Sequence, residues 1–230
     1  MADIHFIGGE KGGVGKSMMA RILAQYFIDH ELPFIGFDAD KSHGALLRFY
    51  SDYASKVAAD SYESLDLIVE AATADFDRPV LVDLAAQTQD ALMRWIDDSD
   101  VLGLASELGL GIRYWHVMDS GRDSVDLLAV LLERFDDKLD YVLVLNQVRG
   151  DDFGILRQSG LLARAQELGA KVMTLKRLHE ASMVKIDASN SSFWAATQGG
   201  AAHELGLLER QRVKMWLKSA YQEIDQLMQG

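Results

Sequence analysis

The chain of 230 residues contains no cysteine and only two prolines, Pro33 and Pro79. The first absence excludes disulfides, thiolate metal sites and iron–sulfur ligation, and it suits a reducing compartment. The second excludes a proline-rich linker, so residues 1–230 are expected to form a single domain. Long apolar runs are missing as well. "VDLLAVLLERF" is far short of the roughly 20 residues that a membrane span needs. The opening "MADIHFIGGE" has no cationic stretch followed by an apolar run, so it does not read as a secretion signal. The expected location is cytoplasmic. Positive charge is also scarce, with a formal net charge of −12. Residues 1–149 hold 13 Lys and Arg against 26 Asp and Glu, whereas residues 150–230 hold 10 against 9. Such a molecule as a whole does not attract nucleic acid, which leaves only a local basic patch in the last third.

What is present is a strong alternation of apolar runs and helical patterns. The predicted strands are Ile4–Gly9, Pro33–Asp38, Pro79–Leu84, Val101–Ser106, Tyr141–Asn146 and Lys171–Lys176. Most lack period-two alternation, as strands covered on both faces do. Met18, Met19, Ile22, Leu23, Tyr26 and Phe27 repeat at helical spacing, and Glu31-Leu32-Pro33 is expected to end that helix. Asp123–Phe135 reads as another helix, with Asp123 or Ser124 as N-cap. A last stripe runs from Val213 through Trp216, Leu217, Ala220, Tyr221 and Ile224 to Met228. The pattern implies an α/β fold: a doubly wound, mostly parallel sheet flanked by helices.

Residues 10–17 read E-K-G-G-V-G-K-S. The phosphate loop is G-x-x-x-x-G-K-[ST], and Glu10 stands where its first glycine belongs. A strand precedes the loop and a helix follows it. Phosphate oxygens need converging backbone N–H groups and the positive end of a helix. Gly12, Gly13, Val14 and Gly15 supply a close-wrapping backbone, with Lys16 reaching the β- and γ-phosphates. The Ser17 hydroxyl suits Mg²⁺, a hard cation that prefers oxygen, and Met18 continues the binding turn.

"KGGVGKS" resembles the deviant Walker A motif, K-G-G-x-G-K-[ST], of the ParA/MinD group of P-loop ATPases. The resemblance implies ATP and Mg²⁺ as cofactors and a homodimer with ATP bound between the subunits. It implies that Lys11 reaches phosphate held by the partner subunit. In "FDAD", Asp40 matches the residue that positions the attacking water and Asp38 the one near the Mg²⁺ shell. The other reading of Asp-x-Asp is a cap on a helix beginning near Ser42. "PVLVDLAAQT" resembles the Walker B strand with switch II, which assigns Asp83 to an outer-shell Mg²⁺ contact. Gln87 replaces the glycine that the family usually has four residues after this Asp. Asn146, at the end of "VLVLN", matches the adenine-contacting Asn. Trp115–Leu128 and Lys185–Thr197 lie outside these motifs and look similar to segments of ParA-like proteins linked to plasmid mobilisation and conjugation.

Other features receive plainer readings. His116, between Trp115 and Val117, reads as a satisfied core histidine, and Phe193 and Trp194 read as buried aromatics. The C-terminal stripe is expected to dock on the protein's own core. Its basic cluster of Arg210, Arg212, Lys214 and Lys218 reads first as an ordinary solvated helix face, with nonspecific DNA as the alternative, while membrane binding is disfavoured because the polar face turns acidic at Glu223 and Asp225. Two functions follow from the sequence. One is an ATPase switch that hydrolyses ATP slowly and releases an activating or cargo protein, located in the cytoplasm or at a nucleoid or pole. The other is an interaction module that holds ATP as a structural ligand, a reading motivated by Gln87. A metabolic enzyme of the same superfamily is a weaker third.

Overall fold

The computed structural model of the chain describes residues 3–9, 12–40, 44–198 and 205–228. Along these run β1 (Asp3–Gly8), α1 (Lys16–Asp29), β2 (Ile35–Asp38), α2 (Ala45–Phe49), β3 (Ala54–Lys56), α3 (Tyr62–Ala74) and β4 (Val80–Asp83). Then come α4 (Gln89–Asp98), α5 (Val101–Leu108), β5 (Gly111–Met118), α6 (Arg122–Phe135) and β6 (Asp140–Asn146). The remainder holds α7 (Gly154–Gln158), α8 (Leu161–Glu167), β7 (Lys171–Leu175), α9 (Glu180–Ala188), α10 (Phe193–Thr197) and α11 (Leu207–Met228). The seven strands form one sheet in the order β3-β2-β4-β1-β5-β6-β7, and every pairing is parallel. The expected doubly wound α/β architecture is the observed one.

Successive side chains of a strand point to opposite faces, and both faces here are buried. Phe6, Tyr114 and Leu143 join Leu65, Trp95 and Leu128 on the face covered by α3 to α8. Their neighbours Ile7, Trp115 and Val144 join Leu23, Leu46, Ile186 and Val213 on the face covered by α1, α2 and α9 to α11. This double burial is why the strands read as apolar runs rather than alternating ones. The C-terminal stripe docks on the core as expected: Val213, Trp216, Leu217, Ala220, Ile224 and Leu227 are buried on α11. Trp216 donates its indole N–H to the Lys176 carbonyl at 2.7 Å.

Three local expectations are corrected and the strand β5 is added. Val101–Ser106 is not a strand but lies within α5. Its buried residues are Val101 and Ala105, spaced as one helical face. Gly109 ends it in the left-handed conformation (φ 70°), with the Leu110 N–H returning to the Ala105 carbonyl at 2.8 Å. The strand of this region is β5, whose Arg113, Tyr114 and His116 interrupt the apolar signal. Tertiary partners satisfy it: Trp115 Nε1 donates to His5 Nδ1 at 3.0 Å and Arg113 pairs with Asp140. Helix α6 is preceded by Gly121 rather than capped by Asp123 or Ser124. Trp194 is 55% exposed, unlike the fully buried Phe193.

The end of α1 shows how the chain turns without a glycine. The helix stops at Asp29, and Glu31 takes φ 55°. The Glu31 and Leu32 N–H groups bond back to the Ile28 and Phe27 carbonyls at 3.1 and 2.8 Å. This closes the last turn before Pro33 can interfere. Helix α3 begins conventionally, with Ser61 Oγ accepting the Ser64 N–H at 3.2 Å.

Candidate functional site

β1 lies at the centre of the sheet, between β4 and β5. The loop after it therefore emerges among the carboxyl ends of the central strands, where open α/β sheets bind ligands. Lys16 is the first residue of α1, and no side chain caps the helix start. The first-turn N–H groups and the positive end of a 14-residue helix are thus presented beneath the loop. The Lys16 ammonium is buried and donates to the Gly9 carbonyl at 2.7 Å. Gly15 takes φ 103°, and a Cβ there would lie 2.1 Å from Asn146 Nδ2. Glycine is required at this position for both reasons. Gly12, by contrast, has open space around it.

Asn146 is buried and bridges the loop to β6. Its Nδ2 donates to the Val14 carbonyl at 2.7 Å, and its Oδ1 accepts the Val148 N–H at 3.2 Å. It therefore holds the phosphate loop in shape, a role its match to an adenine contact did not suggest. Asn146 and Met18 also line a cavity of about 180 Å³ with Val148, Leu178 and Met183, rimmed by Lys176, Arg177 and Glu180. Sequence reasoning finds the first two residues and misses those after β7. The segment "KRLHE" carries no motif, and only the fold brings it beside the loop.

The β2 and β4 ends carry the carboxylates. Asp38 and Asp83 are register partners on neighbouring strands, and both are buried. Asp38 Oδ1 accepts the Asp40 N–H and its Oδ2 the Leu47 N–H, each at 3.0 Å. Asp38 thus caps α2, which begins at Ala45 rather than near Ser42. Burial raises its pKa, opposed by these N–H groups. Neither oxygen of Asp83 has a hydrogen-bond partner. Burial first, and then repulsion from Asp38, push its carboxyl up to about 8. The Ser17 hydroxyl and the Lys16 charge oppose the rise, although the hydroxyl does not reach hydrogen-bond geometry. An orphaned buried carboxylate beside a hydroxyl is the donor set that a hard divalent cation, or a water bound to one, would satisfy. The residues present therefore fit Mg²⁺. Among the described residues no group of three or more acidic, His or Cys side chains could hold a metal by itself.

Residues 5–193 match the CobQ/CobB/MinD/ParA nucleotide binding domain. The chain belongs to this family. A relative over its whole length is the protein TraL of Escherichia coli, 24% identical across 98% of both chains. Among solved structures, the MinD cell division protein of Aquifex aeolicus aligns over 95% of this chain and 97% of its own, with TM-score 0.53 and 14% identity. A plasmid partition protein of Borrelia burgdorferi aligns over 97% and 100%, with TM-score 0.51 and 14% identity. These structural likenesses show the shared fold of a ParA/MinD-type nucleotide-binding protein.

Gln87, in place of the family's glycine, is exposed and takes φ 62°. This left-handed backbone costs about 1 kcal/mol of strain on a residue other than glycine. His116 is buried as expected, with Nε2 3.2 Å from the Ser124 carbonyl, but it is not fully satisfied, because its Nδ1 has no hydrogen-bond partner. Burial holds its pKa down to about 4, against the hydrogen bond to Ser124 and helped by the Lys16 charge. Lys11 and Glu10 lie outside the described residues. No helix among the described residues is long and apolar enough to cross a membrane.

Proposed function

We propose that the protein is a Mg·ATP-dependent ATPase switch that dimerises face to face and hydrolyses ATP slowly to position or partition a cargo, such as plasmid DNA or a protein complex. The observation that carries this reading is the buried, unpartnered Asp83 beside Ser17 and Lys16 at the open start of α1. In the proposed mechanism the loop amides from Gly12 to Met18 bind the phosphates. Lys16 leaves the Gly9 carbonyl to donate to phosphate oxygen. Ser17 would ligate Mg²⁺, with Asp83 as an outer-shell contact and Asp38 near the shell, and the ion would neutralise phosphate charge. Asp40 orients the attacking water by accepting its proton. Lys11 supplies a cation to the partner's nucleotide, so that full charge neutralisation needs two subunits. The base rests in the cavity lined by Met18, Asn146, Leu178 and Met183. Names among the relatives agree in kind: one is a cell division protein, one a partition protein bound to AMPPNP, and one TraL.

Purified protein with Mg·ATP is expected to release phosphate slowly, and Lys16→Ala and Asp40→Ala are each expected to abolish the release. Unchanged rates in both variants would refute the reading. A fluorescent Asp40→Ala form should accumulate where the cargo resides, separating nucleoid, pole and diffuse cytoplasm. A second reading, a structural ATP in an interaction module, draws on the exposed Gln87 in switch II. It requires a turnover no faster than that of Asp40→Ala.

A further inference from the structure

Arg149 stands on the opposite side of the loop from Asp83, at the end of the 3₁₀ turn Gln147–Arg149. Its Nη1 donates to Asp119 Oδ2 at 3.2 Å. Asp119 follows β5, and its side chain is 2% exposed against 49% for Arg149. The carboxylate is itself fixed: Asp119 Oδ1 accepts from Ser124 Oγ at 2.7 Å and from the Gly121 N–H at 3.0 Å. The guanidinium is thus tethered to a rigid buried anchor. Its Nη2 lies against Gly13, where a Cβ would come within 3.0 Å of it. Gly12 and Gly13 are exposed, so the guanidinium rests on the outer rim of the phosphate loop, with half of its side chain open to solvent.

Asp119 is buried whereas 49% of the Arg149 side chain is open to solvent, so the guanidinium keeps a solvent-facing side that a ligand can reach. We propose that Arg149 acts across the dimer interface, donating to phosphate of the nucleotide held by a second copy of this chain, with Asp119 as its positioning residue. The inference rests on the dimeric switch proposed above. A two-fold interface sets a patch against its own copy. Two guanidinium groups brought together repel unless an anion lies between them, which makes association depend on nucleotide. The planar fork of arginine matches phosphate oxygens, and the tether lowers the entropy lost on docking.

The test is sedimentation of wild type, Arg149→Ala, Arg149→Lys and Asp119→Asn with Mg²⁺ and a nonhydrolysable ATP analogue. Nucleotide affinity is measured separately, at protein concentrations where the chain is monomeric. Wild type should dimerise. Arg149→Ala should weaken dimerisation about 10- to 100-fold, with Arg149→Lys recovering part of the loss and Asp119→Asn falling between. Monomer nucleotide affinity should stay within about twofold, and the melting temperature of each variant is measured alongside, because uncovering the buried Asp119 carboxylate lowers stability without bearing on association. Dimerisation of Arg149→Ala equal to wild type would overturn the inference, as would a matching loss of monomer affinity. If wild type itself stays monomeric with the analogue, the dimeric switch fails first and this inference falls with it.

Discussion

The two flanks of the phosphate loop are built on opposite principles. On the β2–β4 side, Asp83 is buried with no hydrogen-bond partner and a pKa pushed up to about 8. On the β5–β6 side, Asn146 bonds to the loop and to its own turn, and Asp119 bonds to Ser124, Gly121 and Arg149. Unsatisfied buried polar groups are expensive, and satisfied ones rigidify. The open flank is therefore the one that a ligand would complete in the proposed switch, and the closed flank fixes the loop. Lys16 sits between them, donating to the Gly9 carbonyl at the root of the loop.

The sharpest break of this contrast is at its centre. Lys16→Ala should lower nucleotide affinity about 100-fold, read by titration of a fluorescent analogue, because a charge-assisted bond to phosphate is lost. On the closed flank, Asn146→Ala should cost about 1–3 kcal/mol of folding stability without any nucleotide, since the buried Val14 carbonyl loses its donor. Urea denaturation measures it. The open flank should respond the other way round. Asp83→Asn should leave the nucleotide-free protein as stable as wild type or more so, yet reduce the gain in nucleotide affinity on adding Mg²⁺ about tenfold. Equal stability losses in the two variants would erase the distinction between the flanks.

Acid provides a weaker probe of the buried frame. Burial, helped by the Arg113 charge, holds the His5 pKa down to about 3, and burial holds His116 down to about 4. Both folded values lie below the unfolded value of about 6.5. The unfolded chain therefore takes up protons first as pH falls. Their contribution is complete above about pH 6.5 and is lost progressively below it, by about 1–2 kcal/mol for each histidine at about pH 5. Denaturation at neutral pH and at about pH 5 should show the fall, and His116→Gln should reduce it. The smallest effect is expected at Gln87. Replacing it by glycine relieves the left-handed backbone at φ 62° and should stabilise the protein by no more than about 1 kcal/mol, offset in part by the freedom glycine adds to the unfolded chain.

Much of the fold and the site is legible in the order of residues. The strand, glycine-rich turn, Lys-Ser pair and helix are local, so their spacing alone places Lys16, Ser17 and the start of α1. The runs ending in Asp38, Asp83 and Asn146 are legible because a polar residue closing a doubly buried strand stands out. β5 is not legible, because the partners of Arg113, Trp115 and His116, namely Asp140, His5 and Ser124, are distant in sequence or on another element. Helix α5 reads as a strand because a short apolar run carries no period of its own, and its helical face is evident only from which two residues are buried.

The sequence by itself determined the chemistry of the loop and the class of the fold, since both depend on patterns within a few turns of chain. Only the tertiary structure decided which polar groups are satisfied. It assigned Asn146 to the loop backbone, Asp38 to the start of α2, Asp119 to Arg149, and left Asp83 without a partner. A hydrogen bond depends on distances of about 3 Å between groups that can be far apart along the chain, and spacing in sequence carries no record of those distances.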